Sequence, residues 1–288
     1  MSILTHQLSS ADGVHFDLSL TKKPAEPRQP IVLCLPAMGV PARKYSLLAE
    51  SLNNQGITSA IFEWRGIDTS SVRASRKVNF GYREILSLDL PVAIDFIRQH
   101  YPQNPIYLLG HSLGGQLGLL YMSLKPEEIS GLIGIASGLP FYKAWEFPTN
   151  WGLWFVSKAM RAVALSVGYF PGRKLGFAGR EARQLISDWE KSVATGRYYV
   201  EGCSHDFESL SGRLNKNAMM ITIDDDILAP PASAKNLGKK LTNGQVTYHH
   251  LEAKDFEKNS LGHFNWMKEP EPIINRVIEW LSSQQNKK

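Results

Sequence analysis

Two hydrophobic patterns alternate along the chain. One is the short run with no polar position, such as Ile31-Val32-Leu33-Cys34-Leu35. Such a run is what a strand needs when both of its faces are covered, as in a parallel sheet. The other places apolar residues three and four apart, as at Ile85, Leu88, Val92, Ile94 and Ile97, which is the period of a helix with one buried side. This run and other short, mainly apolar segments predict strands over 31–35, 58–64, 105–109, 131–136, 218–223 and 246–251. The periodic segments predict helices over 44–54, 84–100, 115–124, 232–241 and 272–283. Before them, 3–8 and 14–20 read as two strands joined at Asp12-Gly13, a hairpin dipeptide, and a polar link over 22–30 follows. Strands alternating with helices of this length predict an α/β fold: a mostly parallel central sheet covered by helices on both faces.

The alternation breaks between 139 and 205. No strand pattern is visible there, and the segment holds four of the seven tryptophans, Trp145, Trp151, Trp154 and Trp189. It carries nine basic residues against five acidic ones, most of the chain's net charge of +5. The reading is a helical cap, 139–205, inserted into a core made of 1–138 and 206–288. Residues 151–170 are long enough to span a bilayer. Lys158 and Arg161 lie near their middle, and each would cost about 2.5–3.5 kcal/mol at the bilayer centre. A helix lying over a protein pocket is therefore expected, with weak contact to a membrane surface as the second expectation.

Chemistry enters at Gly110-His111-Ser112-Leu113-Gly114, a G-x-S-x-G pattern. The pattern is short, and its weight comes from context: a buried strand runs into it and a helix leaves it. A sharp turn there would lift the serine above a helix N-terminus, where developing negative charge is favoured. Further along, the 218–223 strand ends in Asp224-Asp225-Asp226. Three adjacent carboxylates repel one another, and one gains from a cationic partner such as an imidazolium. Asp226, four residues before Pro230, is the preferred acid, with Asp225 second. Of the eight histidines, His263 is placed in a loop between the last strand and the last helix, which completes the order Ser-Asp-His. His111, beside the serine, reads as structural. His249 and His250 are adjacent in a strand and point to opposite faces, so they cannot chelate one metal. Acyl transfer at Ser112 needs two backbone donors for an oxyanion. These are expected at Leu113 and, from the loop after Leu35, at Met38, with Ala37 second, because Pro36 has no N–H. Trp151 and Trp154 are expected to line the acyl site. Activity should fall as pH drops below roughly 6.5–7, because the histidine must be neutral to act as base.

Together these residues resemble the α/β-hydrolase superfamily, over nearly the whole chain. Gly110–Gly115 is similar to the nucleophile elbow of lipases and esterases. Trp64-Arg65-Gly66-Ile67-Asp68-Thr69-Ser70 is similar to the family's R-G-x-G-x-S loop, with Asp68 in place of the second glycine. The 226–230 and 262–264 segments resemble its acid and histidine loops, while Pro36-Ala37 stands where His-Gly is usual. Phe170-Pro171-Gly172-Arg173 and Asp188-Trp189 resemble a group of bacterial hydrolases near the monoglyceride-lipase and serine-aminopeptidase branch. The resemblance implies an α/β-hydrolase fold, a Ser112-His263-Asp226 triad and carboxylic-ester hydrolysis through an acyl-enzyme. The same triad also serves thioesterases, peptidases and acyltransferases. A ligand-binding protein that keeps the fold without turnover is the reading from another class.

The remaining features exclude more than they add. At 288 residues the chain can bury a large core without a metal or disulfide. A pI near 9.1 is too mild to mark a nucleic-acid surface. Cys34 and Cys203 give neither a metal spacing nor a disulfide framework, so a reduced, cytoplasmic protein is expected, as is the absence of a secretory leader. No cofactor or metal is expected, and the partner is a small-molecule acyl substrate.

Overall fold

A computed structural model describes residues 3–21, 26–257 and 261–285; residues 22–25 of the expected polar link lie outside them. The strands are β1 (Ile3–Ser9), β2 (His15–Thr21), β3 (Ile31–Leu35), β4 (Thr58–Phe62), β5 (Ile106–His111), β6 (Gly131–Ile135), β7 (Tyr169–Pro171), β8 (Arg180–Ala182), β9 (Asn217–Ile223) and β10 (Val246–Leu251). The helices are α1 (Ser46–Asn54), α2 (Tyr82–Glu84), α3 (Leu90–His100), α4 (Leu113–Leu124), α5 (Thr149–Val167), α6 (Gly172–Leu175), α7 (Arg183–Thr195), α8 (Phe207–Arg213), α9 (Pro231–Gly238), α10 (Gly262–Asn265) and α11 (Glu271–Gln285). Eight strands form one sheet in the order β1-β2-β4-β3-β5-β6-β9-β10. β3, β4, β5, β6, β9 and β10 run parallel, and the β1–β2 hairpin adds an antiparallel edge.

Strand side chains alternate between faces, so each parallel strand supplies two apolar layers. Leu33, Leu108, Leu132 and Met220 join the layer that includes Ile94 of α3 and Leu117 of α4. Val32, Leu109, Ile133 and Ile221 join the other, with Leu48 and Leu52 of α1 and Ile273 and Val277 of α11. This explains why the runs are predominantly apolar. α4 is buried on every side because it lies between the sheet and α8, where Ser123 meets Ser211 at 3.0 Å.

The segment between β6 and β9 carries α5, α6 and α7, and it also contains strand structure that periodicity does not announce. β7 and β8 pair antiparallel, Tyr169 with Ala182 and Pro171 with Arg180. Three residues are too few to show a period of two. α5 and α7 pack together, and Lys158 and Arg161 of α5 both face Glu190 of α7, at 2.5 and 3.7 Å. Among the described residues no helix is long and apolar enough to cross a membrane. His263, expected in a loop, lies on α10, a single helical turn in the β10–α11 connection.

Candidate active site

The C-terminal ends of β3, β5 and β9 and the connection after β10 converge on one place. β5 runs directly into α4, and the turn is sharp enough to force Ser112 to φ 53°, ψ −116°. That backbone conformation is costly for a residue with a Cβ. Neighbouring groups hold it: the Ser112 N–H donates to the Ile135 carbonyl at 3.1 Å, and the Ser137 hydroxyl donates to the Ser112 carbonyl at 2.6 Å. The flanking glycines are required by close approach. A Cβ on Gly114 would lie 2.0 Å from the Leu35 carbonyl oxygen, and one on Gly110 would lie 2.2 Å from the Gly115 nitrogen.

The three aspartates after β9 separate cleanly. Asp224 pairs with His250 at 2.9 Å on the exposed edge of the sheet. Asp225 takes a left-handed conformation, φ 61°, and points to solvent. Asp226 is buried, and its two carboxylate oxygens lie 2.9 and 3.0 Å from Nδ1 of His263. The Leu228 and Ala229 N–H groups both donate to Asp226 Oδ1 at 2.9 Å, so the carboxylate is fixed before it meets the imidazole. A carboxylate accepts, which puts the proton on Nδ1 and turns Nε2 away from Asp226. The His263 carbonyl accepts from the Trp266 indole N–H at 3.0 Å, which fixes the backbone that carries the ring.

The loop after β3 is braced from several sides. The Trp64 indole N–H donates to the Pro36 carbonyl at 2.9 Å. The Ala37 N–H donates to the Tyr45 hydroxyl at 2.8 Å. The Ala42 N–H reaches both oxygens of Glu63, at 3.3 and 3.2 Å. Ala37, the second candidate for an oxyanion donor, is therefore already engaged. No partner for the Met38 N–H occurs among the described residues. Leu113 is the first residue of α4, so its N–H has no carbonyl one turn back to bond. Met38, Leu113, Ser112 and His263 all border the same cavity.

Tyr45 continues inward. Its hydroxyl lies 2.7 Å from Nδ1 of His111. Because it already accepts from Ala37, its own proton goes to that nitrogen. Burial and the neighbouring His263 hold the His111 pKa well below its ordinary value, so the ring is neutral and Nδ1 is free to accept. His111 packs at 4.9 Å between centroids from His263. The flanking histidine thus joins the β3 loop to the His263 turn. Nothing in the sequence marks Tyr45, which reaches Ala37 only through tertiary packing.

The cavity measures ≈ 360 Å³. Its polar side chains are Ser112, Gln116, Thr149 and His263; the rest of the wall is almost wholly apolar. From α5 it takes Thr149, Gly152, Leu153, Val156 and Met160, and from α7 Trp189. Trp151 and Trp154 do not border it. They sit on another side of α5, where Trp151 packs on Tyr142 and Trp154, and Lys158 lies 5.4 Å over the Trp154 ring. The expectation that they line the acyl site fails on helix geometry: both faces of α5 are apolar, and aromatic size does not say which turns inward. A larger, open groove of ≈ 870 Å³ includes Arg28, Arg98 and Tyr107. It lies at the N-terminal ends of β5 and β6, away from Ser112.

The intervening segment touches both loops that flank the serine. The Trp145 indole N–H donates to the Ile227 carbonyl at 2.9 Å, next to Asp226. Gly39, at φ 73°, lies against the backbone of Ala178 and Gly179, so close that a Cβ would be 2.1 Å from the Gly179 nitrogen. Gly179 is held in turn by Glu181, a buried carboxylate that accepts its N–H at 2.9 Å. Burial pushes the Glu181 pKa up to about 7.

Comparison with known proteins agrees with this architecture. A family model described as alpha/beta hydrolase fold matches residues 30–265. Monoglyceride lipase of Mus musculus is 28% identical over 129 residues, which are 45% of this chain and 41% of that protein. The chain thus spans about two fifths of the length of the curated monoglyceride lipases it matches. Among solved structures, the alpha/beta hydrolase GrgF from Penicillium sp. sh18 superposes with a TM-score of 0.65 at 18% identity, over 99% of both chains. Est1E from Butyrivibrio proteoclasticus, with ferulic acid bound, gives a TM-score of 0.66 at 13% identity, over 98% of this chain and 100% of that one. At such identities the structures speak for the fold alone. The family match covers most of the chain, and with the parallel sheet and its strand order it shows that this chain belongs to the α/β-hydrolase fold family.

Proposed function

We propose that the protein is a serine hydrolase that cleaves carboxylic esters of apolar acyl groups. The observation that carries the reading is the meeting, at one apolar cavity, of a serine at positive φ and a histidine bonded to a buried aspartate. Ser112 attacks the acyl carbonyl and passes its proton to Nε2 of His263. Asp226 keeps the imidazole in the tautomer that can accept that proton and stabilises the imidazolium that forms. The amides of Met38 and Leu113 receive the oxyanion. His263 then protonates the leaving alcohol, and water resolves the acyl-enzyme by the same route in reverse. Residues 139–205 act as a cap that roofs the acyl site with Leu153, Met160 and Trp189. Monoglyceride lipases among the relatives favour an ester over an amide as the scissile group.

Labelling with a fluorophosphonate probe, followed by peptide mapping, tests the reading without knowledge of the substrate. Labelling is expected at Ser112 and should vanish in Ser112→Ala. The same sample should release p-nitrophenol from p-nitrophenyl butyrate. A folded, monodisperse protein that neither labels nor hydrolyses the ester would overturn the proposal in favour of ligand binding without turnover.

A further inference from the structure

Two polar side chains in the cavity, Thr149 and Gln116, have no role in the proposed chemistry; Thr149 is exposed and Gln116 is buried. Gln116 follows Leu113 by three residues on α4 and is only 5% exposed. It borders the cavity, and its Oε1 is fully buried with no hydrogen-bond partner among the described residues. Among the described residues no group bonds its amide nitrogen either. Buried amide oxygens are nearly always paired, and an unmet one costs as much as a lost hydrogen bond. Its neighbours along α4 are glycines and leucines. A leucine at 116 would have completed an apolar wall at no such cost.

The position of Gln116 says which part of a substrate it would meet. The cavity has an exposed side, where Val156, Ile227, Leu228 and Phe264 reach solvent beside His263. It also has a buried side, formed by Leu113, Gln116, Met160 and Trp189. A leaving alcohol must sit by His263 to take its proton, which assigns the exposed side to the alcohol and the buried side to the acyl chain. The helix rises about 1.5 Å per residue, so Gln116 stands about 6 Å along α4 from Ser112, and its side chain leans back toward the helix start. That brings the amide near the first carbons beyond the scissile carbonyl.

We infer that Gln116 is a specificity-determining residue that hydrogen-bonds a hydroxyl on C3 of the acyl chain, making 3-hydroxyacyl esters the preferred substrate class. The inference rests on the ester-hydrolase reading above. A hydroxyl both donates and accepts, so it suits an amide that offers Oε1 and Nε2 together. A site built to bond a substrate hydroxyl discriminates against the analogue that lacks it, because its own polar group is then left unpaired.

The test compares kcat/KM for methyl hexanoate and for each enantiomer of methyl 3-hydroxyhexanoate, on wild type, Gln116→Leu and Gln116→Met. Wild type is expected to prefer one hydroxy enantiomer over hexanoate by about threefold to tenfold, the range of a single neutral hydrogen bond. In both variants that ratio should fall to about one or lower. Hydrolysis of the esters with no hydroxy preference in wild type would overturn the inference while leaving the hydrolase reading intact. So would a preference that survives in both variants. Failure of wild type to cleave any of the esters, together with no labelling at Ser112, would remove the reading on which the inference rests.

Discussion

Gly39→Ala separates packing from catalysis at the β3 loop. Gly39 sits at φ 73°, and an added Cβ would lie 2.1 Å from the Gly179 nitrogen, 2.7 Å from the Ala178 carbonyl carbon and 2.8 Å from the Gly179 Cα. All three are backbone atoms, so no side chain can swing aside. The left-handed conformation adds about 1–2 kcal/mol for a residue with a Cβ, and forced overpacking typically adds about 1–3 kcal/mol. That sum exceeds what a surface loop retains under strain, so either the 177–179 turn withdraws or the Met38–Gly39 peptide rotates. Rotation carries the Met38 amide out of its proposed oxyanion position, and withdrawal of the turn removes the backbone that packs against Gly39 beside it. Loss of one such donor usually lowers kcat by about 10²–10³-fold. The assay is kcat and KM on p-nitrophenyl butyrate, beside a urea melt. Gly176→Ala is the control, because Gly176 has a similar φ of 75° with nothing within 4 Å of the added Cβ. It should lose stability from strain but keep its kcat. A Gly39→Ala enzyme that melts earlier yet holds kcat within about threefold of wild type would refute the claim that this contact positions Met38.

Three other outcomes follow from the same geometry. Trp154→Ala should lower rates on butyrate and decanoate esters by the same factor, since Trp154 does not border the cavity, whereas Met160→Trp should cut decanoate hydrolysis at least tenfold more than butyrate hydrolysis; a chain-length series decides. Tyr45→Phe leaves the buried Ala37 N–H without an acceptor and Nδ1 of His111 without a donor, so urea melts should show a loss of about 1–3 kcal/mol, together with a lower kcat on p-nitrophenyl butyrate. Burial raises Glu63 and Glu181 from 4.5 to about 7; each holds its proton to a higher pH in the folded chain than in the unfolded one, so their contribution to stability is full below about 4.5 and is lost as pH rises through about 7. Urea melts at pH 5 and pH 8 should therefore show a shallower pH dependence in Glu63→Gln and Glu181→Gln than in wild type, and equal slopes would contradict the shifts.

The sheet was readable because doubly covered strands carry few polar residues. The predicted bounds of β3 and β10 coincide with the observed strands. β7 and β8 were not readable, since three residues cannot display a period. α5 was readable as a helix but not in its orientation. Its cavity-lining positions 152, 153, 156 and 160 and its Trp151-Trp154-Phe155 side are both apolar, and packing against α7 through Lys158, Arg161 and Glu190 decides between them. Around Ser112, local chemistry singled out residues that meet at one cavity, and geometry then distinguished among neighbours. Asp226 rather than Asp225 meets His263, because Asp225 takes the left-handed turn that lets the chain bring Asp226 inward. Met38 rather than Ala37 keeps its N–H unengaged, because Tyr45 occupies that of Ala37. Tyr45, Gly179, Glu181 and Gln116 carry no motif. Each acts through a contact made only when distant segments pack, or, for Gln116, through a contact the protein itself does not make.

The loop that carries Met38 of the proposed oxyanion arrangement is fixed at several points on either side of that residue. Pro36 answers to Trp64, Ala37 to Tyr45 and through it to His111, and Ala42 to Glu63. Gly39 answers to the 178–179 backbone. The first three partners belong to the sheet and the connections around it. The fourth belongs to the segment between β6 and β9, which also holds the loop after Asp226 through Trp145 and the Ile227 carbonyl. That segment therefore does two things at once: it borders the cavity, and it bears on both loops that must stay still in the proposed acyl transfer. Lifting it as a unit would release Gly39 and Ile227 together and loosen the donors when preorganisation matters most. Passage beside the exposed side chains of Val156, Ile227, Leu228 and Phe264 breaks neither contact. The apolar rim is thus the route into the cavity that leaves the proposed catalytic geometry standing.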